Sequence, residues 1–195
     1  MEKVDIRQVK RDLRAKYRAI REELSPEEKQ RYDEAIFRRL TESAFYRQAR
    51  TILCFVSTEI EVETRPILER AFADGKTVAV PKCLDRSGLM DFYVIRSMDE
   101  LKPAMFSLYE PDPLLSPKLT DYRNSLCILP AFAFDTQGFR IGFGKGYYDR
   151  FLQRYSGKKT GVCYNSCIAD RLPRGRFDVA ADYIVTPKYT MTIRK

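Results

Sequence analysis

Residues 128–152 have the sequence ILPAFAFDTQGFRIGFGKGYYDRFL, and this is the most informative segment of the chain. An apolar run typical of a buried strand leads through a glycine-rich turn into an aromatic helix. Gly142, Gly144 and Gly146 alternate around Lys145. Alternating glycines let backbone N–H groups approach an anion without interference from Cβ atoms, and the helix adds its positive N-terminal end. The segment predicts a phosphate-binding loop. The alternative is a tight turn beside a surface lysine.

This glycine loop matches neither of two common nucleotide-binding motifs. Lys145 is followed by glycine where a Walker A loop has serine or threonine, and Tyr147 replaces the last glycine of a dinucleotide fingerprint. Arg140 and Lys145 are predicted surface charges that would neutralise a transferred γ-phosphoryl group. Asp149 follows in the first helical turn, where its carboxylate would face the phosphates through magnesium or simply stabilise the helix dipole. Tyr147 and Tyr148 would stack on a planar ligand or pack in the core.

Apolar runs on both sides of this segment predict an α/β fold in a single domain, residues 1–195. Apolar residues recur at steps of three or four from Ile6 to Leu24, and the Ser25-Pro26-x-Glu28 signal starts a second helix that ends near Thr41. Further helices are predicted over 66–75 and 147–155. Strands are predicted over 51–56, 77–81, 91–95, 125–130, 161–164 and 182–187. The result is a mainly parallel sheet of about six strands, with residues 103–117 as an ordered loop.

Composition excludes several classes of function. The chain has 35 basic and 27 acidic side chains, a net charge of +8, and no histidine. Serine–histidine and cysteine–histidine relays and most catalytic zinc sites need an imidazole, so they are excluded. The five cysteines are predicted to be buried, reduced thiols, with a metal site at Cys163 and Cys167 as the less favoured alternative. Neither a signal peptide nor a membrane span is recognisable, so we expect a cytoplasmic protein.

Positive charge is concentrated next to the glycine loop. Residues 140–176 carry nine basic and two acidic side chains, which suits a nucleotide or a nucleic acid. Glu61 and Glu63 follow the first predicted strand, and one of them would bind an amino group unless both are solvated loop residues. Asp178 and Asp182 precede the last predicted strand, and either would complete a metal site at the functional edge of the sheet.

Residues 129–152, LPAFAFDTQGFRIGFGKGYYDRFL, resemble one segment of the 5-formyltetrahydrofolate cyclo-ligases, or methenyltetrahydrofolate synthetases. In that family a strand, a loop of the pattern FD-x-x-G-x-R-[LI]-G-x-G-x-G-Y-Y-D and a helix follow one another, and this chain matches them in unbroken register. Support comes, in matching order, from KRDLR at 10–14, VSTEIEVET at 56–64, YEPDP at 109–113 and FDVAADYIVTP at 177–187. The resemblance covers nearly the whole chain. It implies a three-layer α/β/α sandwich of the NagB/RpiA/CoA-transferase-like type with a helical N-terminus.

The resemblance also implies an activity and a set of site residues. The enzyme would use MgATP to convert 5-formyltetrahydrofolate to 5,10-methenyltetrahydrofolate through a phosphorylated imine intermediate, acting as a monomer or weak dimer with neither nucleic acid nor membrane as partner. ATP contacts would be Lys10, Arg14, Arg140, Gly142, Phe143, Gly144, Lys145, Gly146, Tyr147 and Tyr148. Folate contacts would be Val56, Glu61 and the stretch from Phe143 to Tyr147. Magnesium would lie at Asp149 and Asp178, and catalysis would fall to Arg140, Lys145 and Tyr147.

Two other functions stay open on the residues alone. One is a nucleic-acid-binding module that uses the basic segment and its tyrosines. The other is a different ATP-dependent small-molecule kinase on the same scaffold, which would release a stable phosphorylated product.

Overall fold

Two helices open the fold, and both begin at side-chain caps. A computed structural model of the protein describes residues 5–85, 87–104 and 109–194. Helix α1 (Ile6–Glu22) starts after Asp5, whose carboxylate accepts a backbone N–H of the first turn. Helix α2 (Pro26–Thr41) starts at the predicted capping box, in which Ser25 and Glu28 each accept the other's backbone N–H. The prediction of both helices is confirmed.

Shorter elements make up the rest of the described chain. The remaining helices are α3 (Ala44–Gln48), α4 (Arg65–Ala73) and α5 (Tyr147–Leu152). The strands in the described residues are β1 (Thr51–Cys54), β2 (Thr77–Cys83), β3 (Met90–Ile95), β4 (Leu101–Pro103), β5 (Tyr109–Pro111), β6 (Ser125–Leu129), β7 (Ala133–Asp135), β8 (Arg140–Ile141), β9 (Lys158–Val162), β10 (Ile168–Ala169), β11 (Tyr183–Val185) and β12 (Thr190–Thr192).

Seven of these strands form one mainly parallel sheet, in the order β12-β11-β9-β6-β1-β2-β3. The pairs from β11 through β2 are parallel, whereas β3 and β12 are antiparallel edge strands. All six predicted strands lie in this sheet. The seventh, β12, was not predicted because it has only three residues, and its two threonines are exposed. The predicted α/β class with a mainly parallel sheet is confirmed.

The helices cover both faces of the sheet. The connection from β1 through α4 leads to β2, while the connection from β6 through α5 leads to β9 in the opposite direction along the sheet. Right-handed crossovers that run in opposite directions place their helices on opposite faces. Ile52, Leu53, Ile128 and other β1 and β6 side chains between these layers are fully buried. A three-layer α/β/α arrangement follows.

Three local predictions need correction. Strand β2 does not stop at Pro81 but continues to Cys83, paired with β3. Its pairing with β1 ends at Ala79, so the proline, which lacks an N–H, lies beyond the last residue of β2 that pairs with β1. Strand β9 begins three residues before the predicted 161–164. Within the predicted loop 103–117, β5 pairs with β4, while residues 105–108 lie outside the described residues.

All five cysteines are free, and only Cys83 is more than marginally accessible. Burial raises the pKa of the Cys83 thiol to about 11, so this side chain is a protonated packing residue. Within the described ranges, none of the helices is long and apolar enough to cross a membrane.

Candidate functional site

The topology of the sheet places a crevice between β1 and β6. These strands are neighbours, yet the chain leaves β1 toward β2 and leaves β6 toward β9, on the other side. Such a reversal opens a crevice at the carboxyl ends of the two strands, where open α/β sheets bind ligands. The loop 55–64 follows β1 at this edge, and residues 130–132 follow β6. The glycine loop reaches this edge as well, because its Phe143 packs against Phe132.

Glu61 is the buried carboxylate of the loop that follows β1. Its side chain is 6% exposed, and Oε2 accepts hydrogen bonds of 2.9 Å from both the backbone N–H and the hydroxyl of Thr58. Burial raises the pKa of Glu61, while the Thr58 bonds and the nearby Arg21 charge act in the opposite direction. Glu63 instead accepts the hydroxyl of Ser57 within its own loop. Of the two glutamates in the sequence motif, Glu61 is the buried one, with Val56 half-buried in the same loop.

A buried aspartate shapes the hairpin that leads to the glycine loop. Asp135, at the end of β7, is fully buried, and its Oδ1 accepts the backbone N–H groups of Gln137 and Phe139 at 3.0 and 2.9 Å. Its Oδ2 accepts the backbone N–H of Leu172. These bonds close the tight turn between β7 and β8. The aspartate of the FD-x-x-G sequence is therefore structural, and it fixes where β8 delivers the loop.

Arg140 is not the surface charge that the sequence predicts. Its side chain is only 4% exposed and lies in an ion pair, with Nη2 2.6 Å from Oδ1 of Asp149. Its Nη1 donates to the carbonyl oxygen of Val179 at 2.8 Å. Strand alternation explains the difference, because Arg140 points from β8 toward α5 and away from solvent. The guanidinium ties the start of α5 to the segment that precedes β11.

The glycine loop itself is open on one side and covered by α1 on the other. A Cβ atom added at Gly142 would meet no heavy atom within 4 Å, so this backbone is accessible. Gly144 has φ +93°, and the guanidinium of Arg14 lies 3.1 Å from where its Cβ would be. Arg14 also donates from Nε to the carbonyl oxygen of Gly142 at 2.8 Å. One predicted ATP contact, Arg14, is thus brought directly onto the loop, and burial lowers its pKa.

Lys10 lies one turn before Arg14 on the same face of α1. Its ammonium group is 2.6 Å from Oδ2 of Asp178, and that oxygen also accepts the backbone N–H of Gly175. The backbone N–H of Val179, the next residue, is 3.4 Å from Oδ1 of Asp149. The two predicted magnesium aspartates therefore lie close together, each paired with a predicted ATP contact. Both carboxylates retain access to solvent, at 29% for Asp149 and 19% for Asp178.

Asp182 lies elsewhere. Its Oδ2 is 3.0 Å from the ammonium group of Lys159 and accepts the backbone N–H of the same residue. Lys159 is at the start of β9, so this pair belongs to the amino edge of the parallel strands. Of the two aspartates that precede the last parallel strand, Asp178 is the one beside the glycine loop.

The remaining loop residues present a cation and three aromatic rings. Lys145 is exposed, and its ammonium group has no partner among the described residues. Phe143 is 44% exposed and packs against Phe132, with 4.6 Å between ring centroids. The Tyr147 hydroxyl donates to the carbonyl oxygen of Asp85 at 2.7 Å. The Tyr148 hydroxyl is buried with no hydrogen-bond partner in the described part of the chain, and burial raises its pKa.

Two contributors to the site were not predicted. Gly88, in the β2–β3 hairpin, approaches the loop so closely that a Cβ atom would lie 2.8 Å from the carbonyl oxygen of Lys145. Arg21, near the end of α1, bonds backbone carbonyls in the loops after β1 and β6. Neither has a local sequence signal, since an isolated glycine and an arginine in a charged helix are common. Only the tertiary contacts identify them.

Much of the basic segment is internally neutralised. Four of its nine basic side chains face carboxylates: Arg140 with Asp149, Arg154 with Asp91, Lys159 with Asp182, and Arg174 with Asp135. The field that would attract a nucleic acid is weaker than the sequence count suggests.

Comparison with known proteins gives the same family as the sequence motifs. The sequence profile of the 5-formyltetrahydrofolate cyclo-ligase family matches residues 6–187. The chain belongs to this family. Among cyclo-ligases it is 30% identical to the probable 5-formyltetrahydrofolate cyclo-ligase of Caenorhabditis elegans, over 92% of this chain and 93% of that protein. It is 30% identical to the Escherichia coli K12 5-formyltetrahydrofolate cyclo-ligase, over 86% of this chain and 94% of the other.

Solved cyclo-ligase-type structures have the same fold. The Aquifex aeolicus 5,10-methenyltetrahydrofolate synthetase superposes with a TM-score of 0.84 at 30% identity, covering 96% of this chain and 94% of that one. The Mycoplasma pneumoniae 5,10-methenyltetrahydrofolate synthetase has a TM-score of 0.69 at 22% identity, covering 91% and 98%, and shows likeness of fold.

Proposed function

We propose that this chain uses ATP to close the formyl group of 5-formyltetrahydrofolate onto the neighbouring nitrogen, giving 5,10-methenyltetrahydrofolate, ADP and phosphate. Membership of the cyclo-ligase family supports the reaction. The observation that carries the assignment of the site is a chain of contacts between the glycine loop and the loop that holds the buried carboxylate Glu61. Phe143 packs against Phe132, and Arg21 bonds both the Phe132 carbonyl and that of Ile60, which precedes Glu61. The loop suits a triphosphate, and the carboxylate suits the nitrogen edge of a pterin.

The triphosphate is assigned to the glycine loop and α1. Open backbone at Gly142 gives the loop N–H donors, and the ammonium group of Lys145, which has no partner among the residues that the structure describes, gives it one full positive charge. Arg14 adds a second cation that is already fixed against the loop by its bond to the Gly142 carbonyl. Fixed cations stabilise the charge that develops during phosphoryl transfer without having to reorganise. Arg14 and Lys145 are therefore the groups assigned to the transferring phosphoryl group.

Magnesium fits the two aspartates beside this loop. Mg²⁺ is held in nucleotide sites by one or two carboxylates together with phosphates and water, and Asp149 and Asp178 are close together and partly accessible. When bound, the ion would neutralise phosphate charge. Arg140 holds the carboxylate of Asp149 in position, which gives it a positioning role in place of the direct phosphate contact predicted from the sequence.

The folate is assigned to the crevice between Glu61 and the aromatic pair Phe132 and Phe143. The Glu61 carboxylate would accept N–H groups of the pterin, and its exclusion from water makes that interaction selective. The Tyr148 hydroxyl, buried and without a hydrogen-bond partner in the described ranges, is a further donor, since buried hydroxyls normally have a partner. The ring of Phe143 is exposed and can cover a planar ligand.

The proposed reaction requires that the two substrates be aligned. It does not require a histidine. The formyl oxygen attacks the γ-phosphorus as the bond to ADP breaks, which produces a phosphorylated imine-like carbon. The second folate nitrogen attacks this carbon, loses its proton, and expels phosphate. Holding the reacting atoms in line is the main contribution that a protein makes to such a transfer. We propose that the enzyme acts as a monomer or weak dimer.

The test is turnover. Purified protein is mixed with 5-formyltetrahydrofolate and MgATP, and formation of methenyltetrahydrofolate is followed by absorbance together with release of phosphate. We expect both products in equal amounts. A stable phosphorylated folate without methenyltetrahydrofolate would indicate a kinase, and folded protein that binds oligonucleotides in a salt-dependent way without turnover would indicate a nucleic-acid-binding module.

A further inference from the structure

Arg21 is buried near the C-terminal end of α1, only 5% exposed. Its Nη1 donates to the carbonyl oxygen of Ile60 at 3.1 Å, and its Nη2 donates to the carbonyl oxygen of Phe132 at 3.1 Å and also to that of Ala131. Ile60 precedes Glu61 in the loop after β1, whereas Ala131 and Phe132 follow β6. One guanidinium thus joins the two loops that border the crevice.

This arrangement is unusual for a buried charge. Arg21 makes no ion pair within the described part of the chain, although burying a cation normally requires a carboxylate partner. Backbone carbonyls and the faces of the Phe132 and Tyr164 rings, 5.6 and 5.7 Å away, surround it instead. Its planar fork of five donors matches several carbonyls from separate segments, which a lysine ammonium group cannot do in the same way.

We propose that Arg21 is a positioning residue for the folate, which fixes the distance between Glu61 and the Phe132–Phe143 aromatic pair. The inference rests on the proposed function, because it assigns the two loops to one substrate. Removing the guanidinium would leave three carbonyls of these loops without donors and free the loops to separate. The Glu61 carboxylate and the aromatic wall would then no longer fit one pterin together.

The nucleotide side of the site should not respond. Arg14 bonds the Gly142 carbonyl of the glycine loop, to which Lys145 belongs, and in the described part of the chain none of the hydrogen bonds of Arg21 reaches residues 140–149. A misplacement of about 1 Å in a substrate-positioning group can cost roughly 100-fold in rate. We therefore expect Arg21→Met to raise the KM for 5-formyltetrahydrofolate roughly 10- to 100-fold, with the KM for ATP unchanged within about twofold.

The experiment compares Arg21→Met and Arg21→Lys with a remote variant, Tyr46→Phe. Tyr46 is buried in α3 and donates to Asp74 at 3.1 Å, so its change lowers stability without touching the crevice. For each protein we would measure the melting temperature, both KM values, kcat, and folate binding by calorimetry with ATP absent. Arg21→Lys keeps the charge, can bond one or two of the carbonyls, and should lie between wild type and Arg21→Met.

Selective loss of folate affinity in the Arg21 variants, with Tyr46→Phe close to wild type, supports the inference. Equal increases in both KM values, or a folate KM and binding constant that stay at wild-type values, overturn it. Should Arg21→Met fail to fold, Arg21→Lys decides alone by the same criteria. Wild-type protein that forms no methenyltetrahydrofolate would instead refute the proposed function, so the two failures are distinguishable.

Discussion

Replacing Arg140 by methionine tests whether the glycine loop rests on a buried ion pair. Methionine keeps most of the apolar stem but removes the guanidinium that lies 2.6 Å from Asp149 and donates to Val179. Removing one partner of a buried pair costs roughly 3–5 kcal/mol, because the other charge stays behind. The Asp149 side chain is 29% exposed, so water compensates part of the loss. We expect the low end of the range, about 3 kcal/mol of unfolding free energy.

The assay is calorimetric melting of Arg140→Met beside a matched control, Lys145→Met. For a chain of this size each kcal/mol shifts the melting temperature by roughly 2–4 °C, which gives a decrease of about 6–12 °C. Lys145 has the same charge, five residues away, but is exposed and without a partner among the described residues. Its loss should change stability by no more than about 0.5 kcal/mol while it lowers kcat/KM for ATP.

A double-mutant cycle isolates the pair. If Arg140 and Asp149 depend on each other, Asp149→Asn should destabilise the wild type yet cost little more in the Arg140→Met background. Additive losses would refute the coupling. An Arg140→Met protein that melts within about 2 °C of wild type would refute the whole argument, and it would return Arg140 to the surface role predicted from the sequence.

Three further outcomes test the site. Gly142→Ala places a methyl group in open space, so we expect an unchanged melting temperature. The methyl group would obstruct the approach of phosphate to the loop backbone, so the KM for ATP should rise roughly tenfold or more. Unchanged kinetics would contradict the phosphate assignment. Gly88→Ala drives a Cβ to 2.8 Å from the Lys145 carbonyl, at φ +97° where alanine is strained, and should lower both stability and ATP affinity; a variant that melts and binds ATP like wild type would contradict the hairpin contact. Burial raises the pKa of Glu61 in the folded state, so this group takes up protons on folding. The ionised carboxylate therefore lowers the free energy of unfolding fully above the folded-state pKa and not at all in acid, where Glu61 is protonated in both states. Glu61→Gln should therefore melt slightly higher than wild type at neutral pH, with the gain vanishing in acid, while folate affinity falls roughly 10- to 100-fold; a neutral-pH melting temperature below wild type would contradict the burial argument.

The spacing of apolar residues, together with helix-capping and turn residues, predicted most of the fold. The start of helix α2 was predicted because its Ser25–Glu28 capping box is a local signal, and six strands were predicted from apolar runs. The elements that were missed depend on distant partners. Strand β12 pairs with β11, and β5 pairs with β4 and is tied to β2 through the Glu110 side chain, while their own residues carry no strong strand pattern.

Some residues of the candidate site could likewise be predicted from the sequence, whereas others depend on distant contacts. The glycine loop was predicted because residue types at fixed spacing carry its chemistry, whereas Glu61 was distinguished from Glu63 only by the resemblance to the family. The burial of Arg140 was not, since a charged residue in a polar-looking motif gives no sign that a hairpin will turn it toward Asp149. Arg21 and Gly88 act through backbone carbonyls of remote segments, and a contact of that kind leaves no trace in either residue's neighbours along the chain.

The most direct measurement is a crystal structure of the protein with 5-formyltetrahydrofolate and a non-hydrolysable MgATP analogue. We expect the terminal phosphate against the backbone of Gly142 to Gly146, within hydrogen-bonding reach of Arg14 or Lys145, and the pterin against Glu61. A triphosphate bound away from this loop, or a pterin that does not contact Glu61, would contradict this expectation.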